Sequence, residues 1–209
     1  MDAFDPLTIG AIAAKFAWAC AGLIAIGITL HALLGVTRVS AAFTRKTIAF
    51  AAAAMALCVF LRLAFSAVEL AGGVDGAADL LPIAWSVQES AFVSAMIGAG
   101  ALALGALTGS RLALATGVLA AATAYGLTGH ARSATQPVLA GLVVALHVIL
   151  AGFWAVAPLT LWPRKDLADE DVAARKWKVG AVAHTAVPGL FIAGATLALG
   201  FGEGPSGLT

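Results

Sequence analysis

Four histidines, two cysteines and three methionines supply the donor atoms with which this 209-residue chain could hold a soft or borderline metal. Cu(I) prefers thioether, thiolate and imidazole ligands, and haem iron accepts axial imidazole. His130 stands in Thr-Gly-His-Ala; His147 comes 17 residues later, with Trp154 seven residues beyond it. Seven residues are two helical turns, so His147 and Trp154 share a face. Met55, Cys58 and Met96 all fall inside long apolar runs, as does Cys20. A thioether–thiol–imidazole ladder is reasonable chemistry for Cu(I), although Met and Cys are also ordinary packing residues. His31 and His184 form a further pair, toward the opposite side from His130. Pro188 stands four residues after His184, so the His184 carbonyl loses its helical donor.

Four charged side chains also fall in or at the edge of apolar runs: Lys15, Arg62, Glu69 and Glu89. An ionisable group in a span costs about 2.5–3.5 kcal/mol or more, so each needs a partner or a role. Met55, Cys58, Arg62 and Glu69 lie within a sector of about 60° on a helix. Trp85, Glu89 and Met96 form a second stripe. These phases predict an Arg62–Glu89 ion pair, joined by Lys15 and Glu69, either as a structural tie or as a polar vestibule for an entering ion.

The elements that position these groups can be read from composition. The chain is 61% hydrophobic and 11% charged, against about 45–50% and 25% in soluble domains. Its mean hydropathy is +0.98. That excludes a soluble enzyme and a disordered chain, and a net charge of +1 gives no field for nucleic acid. Both cysteines lie in apolar runs, which argues against a disulfide framework. The acidic Met-Asp-Ala-Phe-Asp-Pro opening and the length of the apolar run behind it predict a first span rather than a signal peptide. The apolar runs are continuous, without period-two alternation, which predicts helices.

We read one all-α transmembrane domain over residues 1–209, a bundle of six spans at about 7–36, 48–68, 87–108, 111–128, 137–161 and 178–200. Residues 72–82 read as a Gly/Asp loop. Pro158 predicts a break or kink in the fifth span. Arg38, Arg45, Lys46, Arg111, Arg164, Lys165, Arg175, Lys176 and Lys178 collect on one side, and only Arg132 on the other. The positive-inside rule then places both termini outside, on the periplasmic side if the cell is bacterial. Asp2, Asp5, Glu69, Asp75, Asp79 and Glu203 make that outer side acidic.

The segments Gly129-His130-Ala131, Leu146-His147 and Trp154 resemble the copper resistance protein D (CopD) family of bacterial inner-membrane proteins. The opening from Asp5-Pro6-Leu7 to Lys15 and the basic entry to a Gly-containing last helix, Arg175 to Gly194, are similar to that family as well. The resemblance implies multi-pass residence in the inner membrane, copper uptake at its periplasmic side and a periplasmic copper-binding partner. It nominates His130 and His147 as ligands, with Trp154 as a structural neighbour. The chain departs from the family where Ala155-Val156-Ala157-Pro158 stands in place of a glycine pair, and larger members have additional helices.

Three functions therefore compete. The first is copper binding and passage through His130, His147, Met55, Cys58 and Met96. The second is electron transfer by b-type haem with bis-His ligation, His31 with His184 or His130 with His147. The third is an accessory subunit of a larger membrane complex, its Gly105-xxx-Gly109 motif packing on partner helices. No Ser-His-Asp pattern, P-loop, HExxH or CxxC supports catalysis, so no enzymatic activity is expected.

Overall fold

The computed structural model describes residues 6–37, 41–161 and 169–201; side chains at His130, Thr185, 169–171 and 197–201 are not described. Arg38, Arg164, Lys165, Asp2, Asp5 and Glu203 lie outside the described residues. The described elements are all helical: α1 (Pro6–Leu33), α2 (Ala42–Ala71), α3 (Ala77–Thr108), α4 (Arg111–Gly126), α5 (His130–Ser133), α6 (Pro137–Ala155), α7 (Ala157–Leu161) and α8 (Asp169–Phe201).

Among the described residues five segments are long and apolar enough to cross a bilayer: α1, α2, α3, the α6–α7 unit and residues Val172–Thr196 of α8. Large apolar side chains such as Phe16, Phe50, Leu112 and Phe191 stand exposed on their surfaces. In water such a surface would be costly, but lipid is its natural solvent. The architecture is that of an all-helical membrane protein. The fourth expected span is a helix, but its 16 residues fall short of the roughly 20 that cross a hydrocarbon core.

Several boundaries differ from the sequence expectation, each for a local reason. The loop expected over 72–82 shrinks to a turn at 72–76, and α3 begins at Ala77 with Pro82 inside it. A helix that projects beyond the hydrocarbon can be polar, and Asp79 in the first turn of α3 suits the positive end of the helix dipole. The first turn of α2 likewise takes in Arg45 and Lys46. The expected break near Pro158 is present: helical geometry lapses at Val156, between α6 and α7. Between α3 and α4 the chain reverses in two residues. Gly109 holds the left-handed conformation (φ 75°) that closes α3, and the Ser110 hydroxyl accepts from the Ala113 amide to open α4.

Helices α1 to α4 share one continuous apolar core. α6 lies against α1 and α4, and α8 packs mainly on α6. Only 17–18% of the spanning windows of α6–α7 and α8 is buried, against 39–44% in α1 to α3. Glycine sets the closest approaches. Gly27 of α1 meets Gly152 of α6, and Gly126 of α4 meets Gly141 of α6, at distances that leave no room for a Cβ. Gly105 is used within the chain: a Cβ there would meet Leu114 of α4 at 2.6 Å. With Gly109 serving as the α3 cap, the Gly105-xxx-Gly109 motif belongs to the α3–α4 hairpin rather than to a partner helix.

We call the end of the bundle bearing Lys15 and Glu69 the upper end, and that bearing Leu33, Arg45 and Arg111 the lower.

Candidate metal-binding site

At the upper end the charges do not pair as expected. Lys15 Nζ reaches Glu69 Oε1 at 3.4 Å, with both side chains well exposed, so the pair contributes at most about 1 kcal/mol. Arg62 turns toward α1 instead of α3, its guanidinium 4.1 Å above the Trp18 ring. Tyr125 of α4 stacks on the same indole at 3.9 Å and 17°, and its hydroxyl donates to the Trp18 carbonyl at 2.8 Å. Guanidinium, indole and phenol thus tie α2, α1 and α4 together. Nothing in the spacing of charged residues points to Trp18 or Tyr125; the one sequence signal is that Tyr125 is the single tyrosine of the chain.

The Arg62–Glu89 pair is absent, because Glu89 is exposed and Gln88 is the residue that faces α2. Gln88 Nε2 donates to Ser66 Oγ at 2.6 Å. One residue along a helix is about 100° of rotation, enough to exchange a facing side chain for an outward one. Of the expected α3 stripe, Trp85 and Met96 pack against the core and Glu89 does not.

The three sulfur-bearing candidates belong to the core shared by α1 to α4. Met55 and Cys58 are buried in it, and Met96 of α3 packs against it. Cys20 is half-buried on α1.

The histidines divide sharply. His31 is fully buried at the lower end of α1, and both ring nitrogens are engaged. Its Nε2 lies 3.0 Å from Phe153 O and its Nδ1 2.7 Å from Thr160 Oγ1. The network assigns the tautomer: Nε2–H donates to the carbonyl, and Nδ1 accepts from the hydroxyl. The break at Val156 explains the arrangement. The amides at this cap go to Gly152 O and Trp154 O, and Phe153 O takes its donor from His31. His184 is exposed on α8. A haem bridging His31 and His184 does not fit these positions, since no nitrogen of His31 is free and His184 is exposed. His31→Leu is expected to destabilise the protein by about 1–3 kcal/mol, the cost of leaving Phe153 O buried without a donor. Thr160→Val should cost less, because His31 keeps its bond to the carbonyl. Thermal unfolding in detergent checks both, and equal melting temperatures for wild type and His31→Leu would refute this role.

His147 is the opposite case. It is half-buried on the face of α6 toward α8, and its Nδ1 is buried with no hydrogen-bond partner. Gly194 of α8 lies beside the ring: a Cβ there would stand 3.7 Å from Cε1 and 3.9 Å from Nδ1. Trp154, two turns along the same face, also has a buried Nε1 without a partner. Buried polar groups are nearly always satisfied, so His147 Nδ1 stands out among the described residues together with Trp154 Nε1, Trp18 Nε1 and Thr37 Oγ1. His130 begins α5, but its side chain lies outside the described residues. Among the described residues no three His, Cys, Asp or Glu side chains converge on a common point. Any site built on His147 therefore has to draw on soft or backbone donors, or on His130.

No protein-family model, curated protein or solved structure matches this chain.

Proposed function

We propose that this chain is a multi-pass protein of the bacterial inner membrane that binds copper within its helical bundle and passes it inward from the periplasmic side. His147 is the central ligand, His130 the ligand at the entrance, and Met55, Cys58 and Met96 are softer donors deeper in the core. The observation that carries the reading is the buried, unpartnered Nδ1 of His147 beside Gly194. In the tautomer that leaves Nδ1 unprotonated, the imidazole offers a lone pair in an apolar setting, which suits Cu(I), for which low coordination numbers and soft neighbours are favourable. The CopD-like placement of His130, His147 and Trp154 supports it. So does the gathering of Lys and Arg at one side: in this reading the upper end faces the periplasm and α4 serves as a sixth membrane element. Copper is cargo here, handed over by a periplasmic copper-binding partner.

The test is the copper content of detergent-purified protein after reconstitution with Cu(I). Wild type should retain copper stoichiometrically. His147→Ala should weaken binding by at least about 10-fold, since even outer-shell changes at metal sites cost 10–100-fold. A His130→Ala/His147→Ala double variant with wild-type copper content would overturn the assignment. The purified protein should show no Soret band; a Soret band would restore the haem reading, through His147.

An accessory role in a larger complex is favoured by one observation, the low burial of α6 and α8. It predicts that the protein migrates with other subunits in mild detergent, and migration as a lone chain with bound copper would exclude it.

A further inference from the structure

The lower end of the bundle holds an open cleft of about 310 Å³ between the start of α2 and the end of α3, lined by Ala42, Arg45, Lys46, Ala49, Ala106 and Leu107. Its construction is two-sided. Arg45 is fixed in place, Nε donating to Ala106 O at 2.7 Å and Nη2 to Leu107 O at 3.0 Å. These are carbonyls of the last turn of α3, where a cation is also favoured by the helix dipole. The guanidinium is thereby presented along one wall, held by two of its nitrogens. Lys46 is exposed beside it. The remaining wall is small and apolar, Ala42, Ala49, Ala106 and Leu107. One turn beyond Lys46, Phe50 is exposed on the surface of α2 that faces lipid.

Arg111 donates to Leu33 O, and Lys178 Nζ donates to Gly35 O at 2.8 Å, each closing the end of α1. Arg45 likewise closes the end of α3, and with Lys46 it also lines the cleft.

We propose that this cleft holds the phosphate-bearing headgroup of an anionic membrane lipid. The phosphodiester lies between Arg45 and Lys46, and the glycerol end runs along Ala49 and Leu107 toward Phe50 and the acyl region. A basic recess between helices at the membrane boundary provides charge for the headgroup and apolar surface for the glycerol and first acyl carbons. The fixed guanidinium also lowers the ordering cost of binding. A soluble phosphate would use the cations but not the apolar wall, and the position between the ends of two helices long and apolar enough to cross a bilayer favours the lipid. The consequence is that lipid composition sets how firmly α2 and α3 are clamped at this end.

The test is thermal unfolding of the full chain in neutral detergent with added phosphatidylglycerol, phosphatidylcholine or inorganic phosphate. Phosphatidylglycerol should raise the melting temperature by about 5 °C near saturation, and the other two should not. Lys46→Gln and Ala49→Phe should each remove at least half of that rise, the first by taking a cation and the second by filling the wall. Arg45 is left intact because it also closes α3. Lys176→Gln, at an exposed cation away from the cleft, should keep the full rise. The proposal fails if phosphatidylcholine stabilises equally, if inorganic phosphate reproduces the rise, or if Lys176→Gln loses as much as Lys46→Gln. Should Ala49→Phe not fold, the Lys46→Gln and Lys176→Gln comparison decides.

Discussion

Gly27→Val is expected to lower the melting temperature of the purified protein by about 6–12 °C, the equivalent of about 3 kcal/mol at roughly 2–4 °C per kcal/mol for a chain of this size. Gly27 is buried where α1 crosses α6, and a Cβ would stand 2.7 Å from the Gly152 carbonyl carbon and 2.9 Å from Val156 Cγ1. The obstacle is backbone, so no side chain can rotate out of the way and the two helices must separate. Separation breaks more than one contact. His31 lies one turn further along α1, and its bond to Phe153 O depends on the same spacing. Without a hydrophobic force between helices in lipid, close backbone approach is a main source of association energy, and a β-branched residue removes it. Gly100→Ala is the control. Nothing lies within 4 Å of its added methyl group, so the melting temperature should hold or rise slightly, as helix propensity predicts. Wild-type melting by Gly27→Val would mean that α1 and α6 are not packed as described.

What the sequence reveals of this protein depends on the range over which each feature is encoded. Apolar runs are local, so all of the expected spans are found as helical segments, five of them long and apolar enough to cross a bilayer among the described residues. Boundaries depend on what lies just outside the hydrocarbon. There the helices run on through Asp79, Pro82 and Arg45, past where hydropathy alone would end them. Faces depend on the rotation of whole helices. Helical phase groups Met55 with Cys58 correctly, yet it does not reveal that Arg62 turns to Trp18 or that Gln88 replaces Glu89 toward α2. The partners of His31 are remote, 122 and 129 residues away in the chain. From sequence His31 looks as available as His147. Only packing distinguishes a saturated imidazole from one with an idle nitrogen, and the copper proposal rests on that difference.

Trp18→Ala is expected to be at least as damaging, at about 3–5 kcal/mol for truncating a buried large aromatic. The indole is 5% exposed and lies between Arg62 and Tyr125. Its removal leaves a cavity at the junction of α1, α2 and α4 and uncovers a guanidinium within the membrane. The cation–π contact supplies a further 0.5–2 kcal/mol or so, toward the upper value where water is excluded. The ring's own N–H plays no part in this, because Nε1 is buried without an acceptor. Trp18→Phe should therefore recover more than half of the loss, keeping a ring between the two partners and removing an unsatisfied donor. Tyr125→Phe keeps the stack and gives up only the bond to the Trp18 carbonyl, about 1 kcal/mol. The order Trp18→Ala, then Trp18→Phe, then Tyr125→Phe in decreasing damage, read from melting temperatures in one detergent, identifies the stack as the tie. If Tyr125→Phe proved as harmful as Trp18→Ala, the hydrogen bond would be the tie, with the aromatic stack incidental. If Arg62→Met then stabilised the Trp18→Ala background but destabilised wild type, the indole's task would be to make a charge tolerable inside an apolar bundle. We expect that reversal of sign, since Arg62 without Trp18 keeps its desolvation cost and loses its aromatic partner.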